Sequence, residues 1–79
     1  MQANFKNYYN ILEIPQDATA IDIEKAYQKL SAAWHPDRHK NNRREAEYKF
    51  HDISEAYETL SNRNRRTHYD ELLSKQYSI

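Results

Sequence analysis

Apolar side chains recur at helical spacing along two stretches of this chain, and a proline stands between them. Ile23, Ala26, Tyr27, Leu30, Ala33 and Trp34 follow the spacing of one helical face, while Asp22, Glu24, Lys25, Gln28 and Lys29 occupy the rest of the circumference. Ala46, Phe50, Ile53, Tyr57 and Leu60 form a second such stripe, joined by Ala56. Pro36 follows the first stripe closely. A proline ends a helix and pushes the residue before it out of the α region. The pattern therefore predicts long helices near 20–34 and 42–60, with 35–41 mostly non-helical.

Shorter signals complete the chain. Tyr8-Tyr9-Asn10-Ile11-Leu12 reads as a short helix stopped before Pro15. Thr19 with Asp22 three residues on approximates a capping box, with Asp in place of Glu or Gln. Ser61 or Asn62 can cap a last helix near 63–73, and the tail 74–79 is expected to fray. The short connection after His35 predicts that the two long helices form an antiparallel hairpin. The expected core is Tyr9, Leu12, Ile23, Ala26, Tyr27, Leu30, Trp34, Phe50, Ile53, Ala56, Tyr57, Leu60 and Tyr69. Tyr8, Tyr48 and Tyr77 fall off the stripes and receive no role.

Composition narrows the function classes. The chain has 79 residues and zero formal net charge, which suits one small all-α domain spanning 1–79. Without cysteine there is no disulfide framework and no thiolate metal site. Without glycine there is no Gly-rich phosphate loop. No apolar run reaches membrane-spanning length and no signal peptide opens the chain, so a soluble, cytoplasmic monomer that avoids membranes is expected. Local charge is uneven. Arg38, Lys40, Arg43 and Arg44 form one basic cluster, and Arg63, Arg65 and Arg66 another. Such patches can recognise an acidic partner surface, although solvated loops and helix ends carry them too.

Candidate chemistry is sparse. His35 and His39 stand four apart, as two zinc ligands on a helix would, but Pro36 breaks the helix that this spacing requires, and no third ligand matches. No metal and no cofactor are expected, and His51 and His68 read as helix-surface residues. Ser31, Ser54 and Ser61 have no evident base and orienter, so the chain reads as a non-enzyme. The basic patches lack an aromatic stacking platform, which argues against nucleic acid. His35-Pro36-Asp37, carried on a loop between rigid helices, is better suited to recognition than to packing.

Laid end to end, these segments resemble a J-domain, the co-chaperone module of the DnaJ family. Asn7-Tyr8-Tyr9-Asn10-Ile11-Leu12 resembles the family's opening helix, and Ile23-x-x-Ala26-Tyr27-x-x-Leu30 its second. Trp34-His35-Pro36-Asp37-Arg38 resembles its loop, and Lys49-Phe50-x-x-Ile53-x-x-Ala56-Tyr57-x-x-Leu60-Ser61 its third helix. Arg66-x-x-Tyr69-Asp70 resembles the end of its fourth. The match runs over about 7–70, in register throughout.

The resemblance implies four helices, with the second and third as an antiparallel hairpin and the His-Pro-Asp loop between them. It implies a heat-shock protein 70 ATPase of the DnaK type as partner, bound and stimulated in its ATP hydrolysis. The implied partner-binding residues are His35, Pro36, Asp37, Arg38, Lys25, Gln28, Lys29 and Tyr27. Asp37 would compete for an arginine of the partner's interdomain network, His35 would add a hydrogen bond, and Pro36 would fix the turn. The chain also departs from the family pattern. Glu24 and Gln28 stand where Arg or Lys is frequent, leaving Lys25 and Lys29. Glu13 replaces a usual glycine, Asn62 replaces a common aspartate, and no Gly/Phe-rich or Cys-rich region follows. The altered second helix keeps one alternative open, an interaction or assembly adaptor with weak chaperone coupling.

Overall fold

The computed structural model describes residues 5–76, and among them all regular structure is helical. The elements are α1 (Tyr8–Ile11), α2 (Ala20–Ala33), a 3-10 turn (Pro36–Arg38), α3 (Arg43–Leu60) and α4 (Arg63–Gln76). The expected helices all form. Their ends differ from expectation by a residue or so, except that α4 continues to Gln76 where fraying from Ser74 was expected. Leu73, buried to 1% exposure, anchors the last turn. Tyr77 and the end of the tail lie outside the described residues.

Helix ends are fixed by local chemistry. Asn7 caps α1, its side-chain oxygen accepting from the N–H groups of Tyr9 and Asn10. At the other end Glu13 takes φ 58°, the left-handed region. The Glu13 N–H then reaches the Asn10 carbonyl and the Ile14 N–H reaches the Tyr9 carbonyl, a Schellman closure usually given to glycine. The capping box of α2 is complete: Thr19 Oγ1 accepts from the Asp22 N–H and the Asp22 carboxylate accepts from the Thr19 N–H, each at 3.1 Å. These bonds hold the Asp22 carboxyl below its ordinary range. Asn62, rather than Ser61, caps α4 by accepting from the Arg65 N–H at 3.0 Å.

α3 is the spine against which α1, α2 and α4 pack. The partners run in opposite order along α2 and α3. Tyr27 stacks on Tyr57, while further along α2 Trp34 meets Lys49. That ordering makes the hairpin antiparallel. Between the helices lie Tyr9, Leu12, Ile23, Leu30, Ile53, Ala56, Leu60 and Tyr69, with Ala18 and Leu73 added to the expected set. Each large aliphatic side chain buried this way contributes about 1.5–3 kcal/mol. Ala26, Tyr27, Trp34 and Tyr57 are only half-buried and pack on the edge of this cluster, Phe50 is half-buried against the His35 ring, and Ala33 is exposed. The apolar stripes are wider than the seam that α3 can cover, so their flanks stay partly wet.

Two expectations are corrected by long-range contacts. Tyr8 is not idle. Its ring stacks on Tyr69 at 4.5 Å and its hydroxyl donates to Glu55. Arg66 is not part of a free basic patch. Its guanidinium donates to the carbonyls of Gln16 and Ala18 and to the Tyr9 hydroxyl, and that hydroxyl donates to Asp70 at 2.6 Å. This network ties α4 to the α1–α2 loop.

Candidate functional site

The loop between α2 and α3 is built by turning back onto the end of α2. His35 has φ −61° and ψ 129°, the extended backbone that a following proline demands. Pro36 opens the 3-10 turn, and the N–H groups of Arg38 and His39 bond back to the carbonyls of His35 and Pro36. The Asp37 N–H donates to His35 Nδ1 at 3.3 Å. The turn thus fixes the His35 ring and the Asp37 backbone together. The Asp37 side chain is 78% exposed. Among the described residues its carboxylate has only His35 Nδ1 within ion-pair reach, at 3.7 Å.

The last carbonyls of α2 have no partner within the helix, and the loop supplies them. Arg38 Nη1 donates to the Ala32 carbonyl at 3.4 Å and His39 Nε2 donates to the Ala33 carbonyl at 2.9 Å. Donors and positive charge at a helix C-terminus also meet the favourable end of its dipole. The His39 ring lies parallel to the Trp34 indole, 5.0 Å away and tilted by 10°. Lys49 Nζ sits 5.0 Å from the same indole, a cation–π contact from α3. On the other side of the loop the His35 ring meets Phe50 edge-on at 5.6 Å. His35-Pro36-Asp37 is therefore gripped from both long helices.

The expected recognition residues fall into separate groups. His35, Pro36, Asp37 and Arg38 share the loop, although Arg38 is turned inward onto α2. Lys25 and Lys29 are exposed and lie four apart on one line along α2. Glu24 and Gln28 form the neighbouring line, joined by a 3.3 Å hydrogen bond from Gln28 Nε2 to the Glu24 carboxylate. Tyr27 is half-buried and stacks on Tyr57 at 4.1 Å, so much of its ring packs the hairpin. Trp34, His39 and Lys49 were not expected in the site. The legible signal was a histidine six residues past Ala33, the last residue of α2, within reach of that helix's final carbonyls.

Elsewhere the described residues include one metal-like group, His51, Asp52 and Glu55, whose ligand atoms lie within 4.8 Å of one another. Lys6 Nζ already bridges both carboxylates, at 2.9 and 3.2 Å, and Tyr8 donates to Glu55. The Tyr8 bond, followed by Lys6, holds the Glu55 carboxyl low, and Asp52 followed by Glu55 raises Lys6. The group is an ion-pair tether between the segment before α1 and α3. No helix among the described residues is long and apolar enough to cross a membrane.

The sequence has relatives. The sequence profile of the DnaJ domain matches residues 7–70. "Chaperone protein DnaJ" of Thermotoga petrophila is 51% identical over 70 residues, covering 89% of this chain and 19% of that protein. "DnaJ homolog subfamily B member 8" of Mus musculus is 50% identical over 64 residues, covering 81% of this chain and 28% of that protein. "Chaperone protein DnaJ" of Thermoplasma acidophilum is 50% identical over 66 residues. The matched part of the chain thus spans between 18% and 28% of the length of these relatives. Four helices in this order, the gripped His35-Pro36-Asp37 loop and a profile match over most of its length establish that the chain belongs to the DnaJ domain family.

Proposed function

We propose that this chain binds a heat-shock protein 70 ATPase of the DnaK type and stimulates its ATP hydrolysis. Asp37 is the observation that carries the reading. Its carboxylate stands exposed at the tip of a loop held by both long helices, close enough only to His35 among the described ion-pair partners. A displayed carboxylate of this kind suits capture of a guanidinium on a partner. His35 and Pro36 hold it in place, while Lys25 and Lys29 offer charge to an acidic surface alongside. The chain supplies no reacting group. Binding one conformation of the partner better than another shifts its population toward the hydrolysing state.

Single-turnover ATP hydrolysis by a purified DnaK-type chaperone, with and without this chain, tests the reading. Stimulation is expected with the unsubstituted chain and is expected to vanish with Asp37→Asn at unchanged helix content. Full stimulation by Asp37→Asn would overturn the role of the loop. Binding without any stimulation would favour an adaptor instead.

A further inference from the structure

α2 carries two carboxylates, Asp22 and Glu24, beside Lys25 and Lys29. Asp22 is tied into the N-terminal capping box, and Glu24 is held in place from outside its own helix. Tyr57 of α3 donates its hydroxyl to Glu24 Oε1 at 2.9 Å, and Gln28 Nε2 donates to Oε2 at 3.3 Å. Both carboxylate oxygens are therefore engaged. The Tyr57 ring is itself fixed, stacked on Tyr27 at 4.1 Å with the planes 17° apart. Along α2, Glu24 and Gln28 share one line, and Lys25 and Lys29 lie on the next, about 100° round the axis. A tyrosine anchored on α3 therefore holds the carboxylate on the line beside the lysines.

We propose that Tyr57 is a positioning residue for docking: its hydroxyl tethers the Glu24 carboxylate to the α3 flank of α2, so that Lys25 and Lys29 set the charge an acidic partner meets. This deepens the co-chaperone reading and rests on it. A carboxylate that accepts two hydrogen bonds is partly compensated by their dipoles and cannot swing across the helix toward an incoming acidic group. Freed from Tyr57, it would sweep the docking face and oppose association. The Gln28 bond alone joins two exposed, flexible side chains of the same helix and restrains Glu24 weakly. The tether needs a hydroxyl at 57 and a carboxylate at 24 together, so neither residue has this role without the other.

The test is a double-substitution cycle on the full chain, read as affinity for a purified DnaK-type chaperone at low and high salt. Tyr57→Phe keeps the stacked ring and removes only the hydroxyl. It is expected to weaken binding roughly threefold at low salt, the size of an exposed charge effect, and much less at high salt. In a Glu24→Gln background the same change is expected to do nothing, because no carboxylate remains to restrain. A general packing role would lower affinity equally in both backgrounds, and that result, or no loss in either, overturns the proposal. The phenol titration of Tyr57 gives a second readout without any partner. Its hydrogen bond to Glu24 raises it above the ordinary value, and Glu24→Gln is expected to bring it back down. A Tyr57 titration indifferent to Glu24→Gln would overturn the tether alone. Failure of the unsubstituted chain to bind, with that titration still responding, would overturn the co-chaperone reading and the docking role with it.

Discussion

The His39 ring lies flat against the Trp34 indole, 5.0 Å away, while its Nε2 donates to the Ala33 carbonyl at 2.9 Å. One side chain thus caps α2 and folds the far end of the loop that carries Asp37 back onto that helix. Removing it would leave a helix-terminal carbonyl to water and free the turn to move. His39→Ala is expected to lower ATPase stimulation several-fold and to speed amide exchange at Asp37 and Arg38. Helix content should stay unchanged, since Ile53 and Leu30 are untouched. Undiminished stimulation would show that the turn from Pro36 to Arg38 is self-sufficient.

Stability and docking should separate cleanly. Ile53 is 3% exposed in the middle of the helical seam. Ile53→Ala is expected to cost about 2–5 kcal/mol, a large share of what so small a domain has. Tyr27→Ala and Phe50→Ala should fall below the range for a fully buried aromatic, because both rings are half-buried. Urea unfolding of the three variants would check the ranking. A larger loss for Tyr27→Ala than for Ile53→Ala would contradict the burial seen here.

Glu13 closes α1 from a backbone conformation that costs a non-glycine residue about 1–2 kcal/mol. Glycine would remove that cost but loses about 0.5–1 kcal/mol through its freer unfolded chain. Glu13→Gly is therefore expected to stabilise the domain by roughly 0.5–1 kcal/mol, seen as a higher urea midpoint at unchanged slope. A lower midpoint would mean that the Glu13 side chain makes a contact worth more than the strain.

Stability should fall at both ends of the pH scale. Burial, then the bond to Glu55, pushes the Tyr8 phenol up to about 12; burial, then the bond to Asp70, does the same for Tyr9. The unfolded chain loses these protons near pH 10, before the folded one does. The stabilisation is complete below pH 10 and disappears as pH climbs through about 12. Lys6, raised by its two carboxylates, adds to the same alkaline loss. Glu55 and Asp22 act oppositely. Their lowered carboxyls stabilise the fold above the ordinary carboxylate range, and that contribution is lost as acid protonates them. Thermal midpoints across pH, compared between the chain and Tyr8→Phe, would check this. The variant should lose part of the alkaline slope.

The docking face should respond to charge. Glu24→Arg with Gln28→Lys would add positive charge beside Lys25 and Lys29, off the apolar stripe. Affinity for a DnaK-type chaperone is expected to rise and its salt dependence to steepen, since exposed charges are screened over about 8 Å at physiological ionic strength. Weaker binding would mean that the natural partner presents a less acidic surface here.

The sequence by itself determined the helices, because spacing, caps and Pro36 act over a few residues. Thr19 with Asp22 and the helical spacing from Ile23 to Trp34 require only local geometry, and the capping box and the helix both form as read. His35-Pro36-Asp37 was legible for the same reason, as a motif contiguous in the chain. Tertiary structure alone decided how the flanks of those helices are used. Tyr8 on Glu55, Arg66 on Gln16 and Ala18, and Tyr57 on Glu24 each join residues more than thirty positions apart. Helical spacing says which way a side chain leaves its own helix. It does not say which polar atom of another helix will lie within about 3 Å, because that depends on how the helices cross and pack.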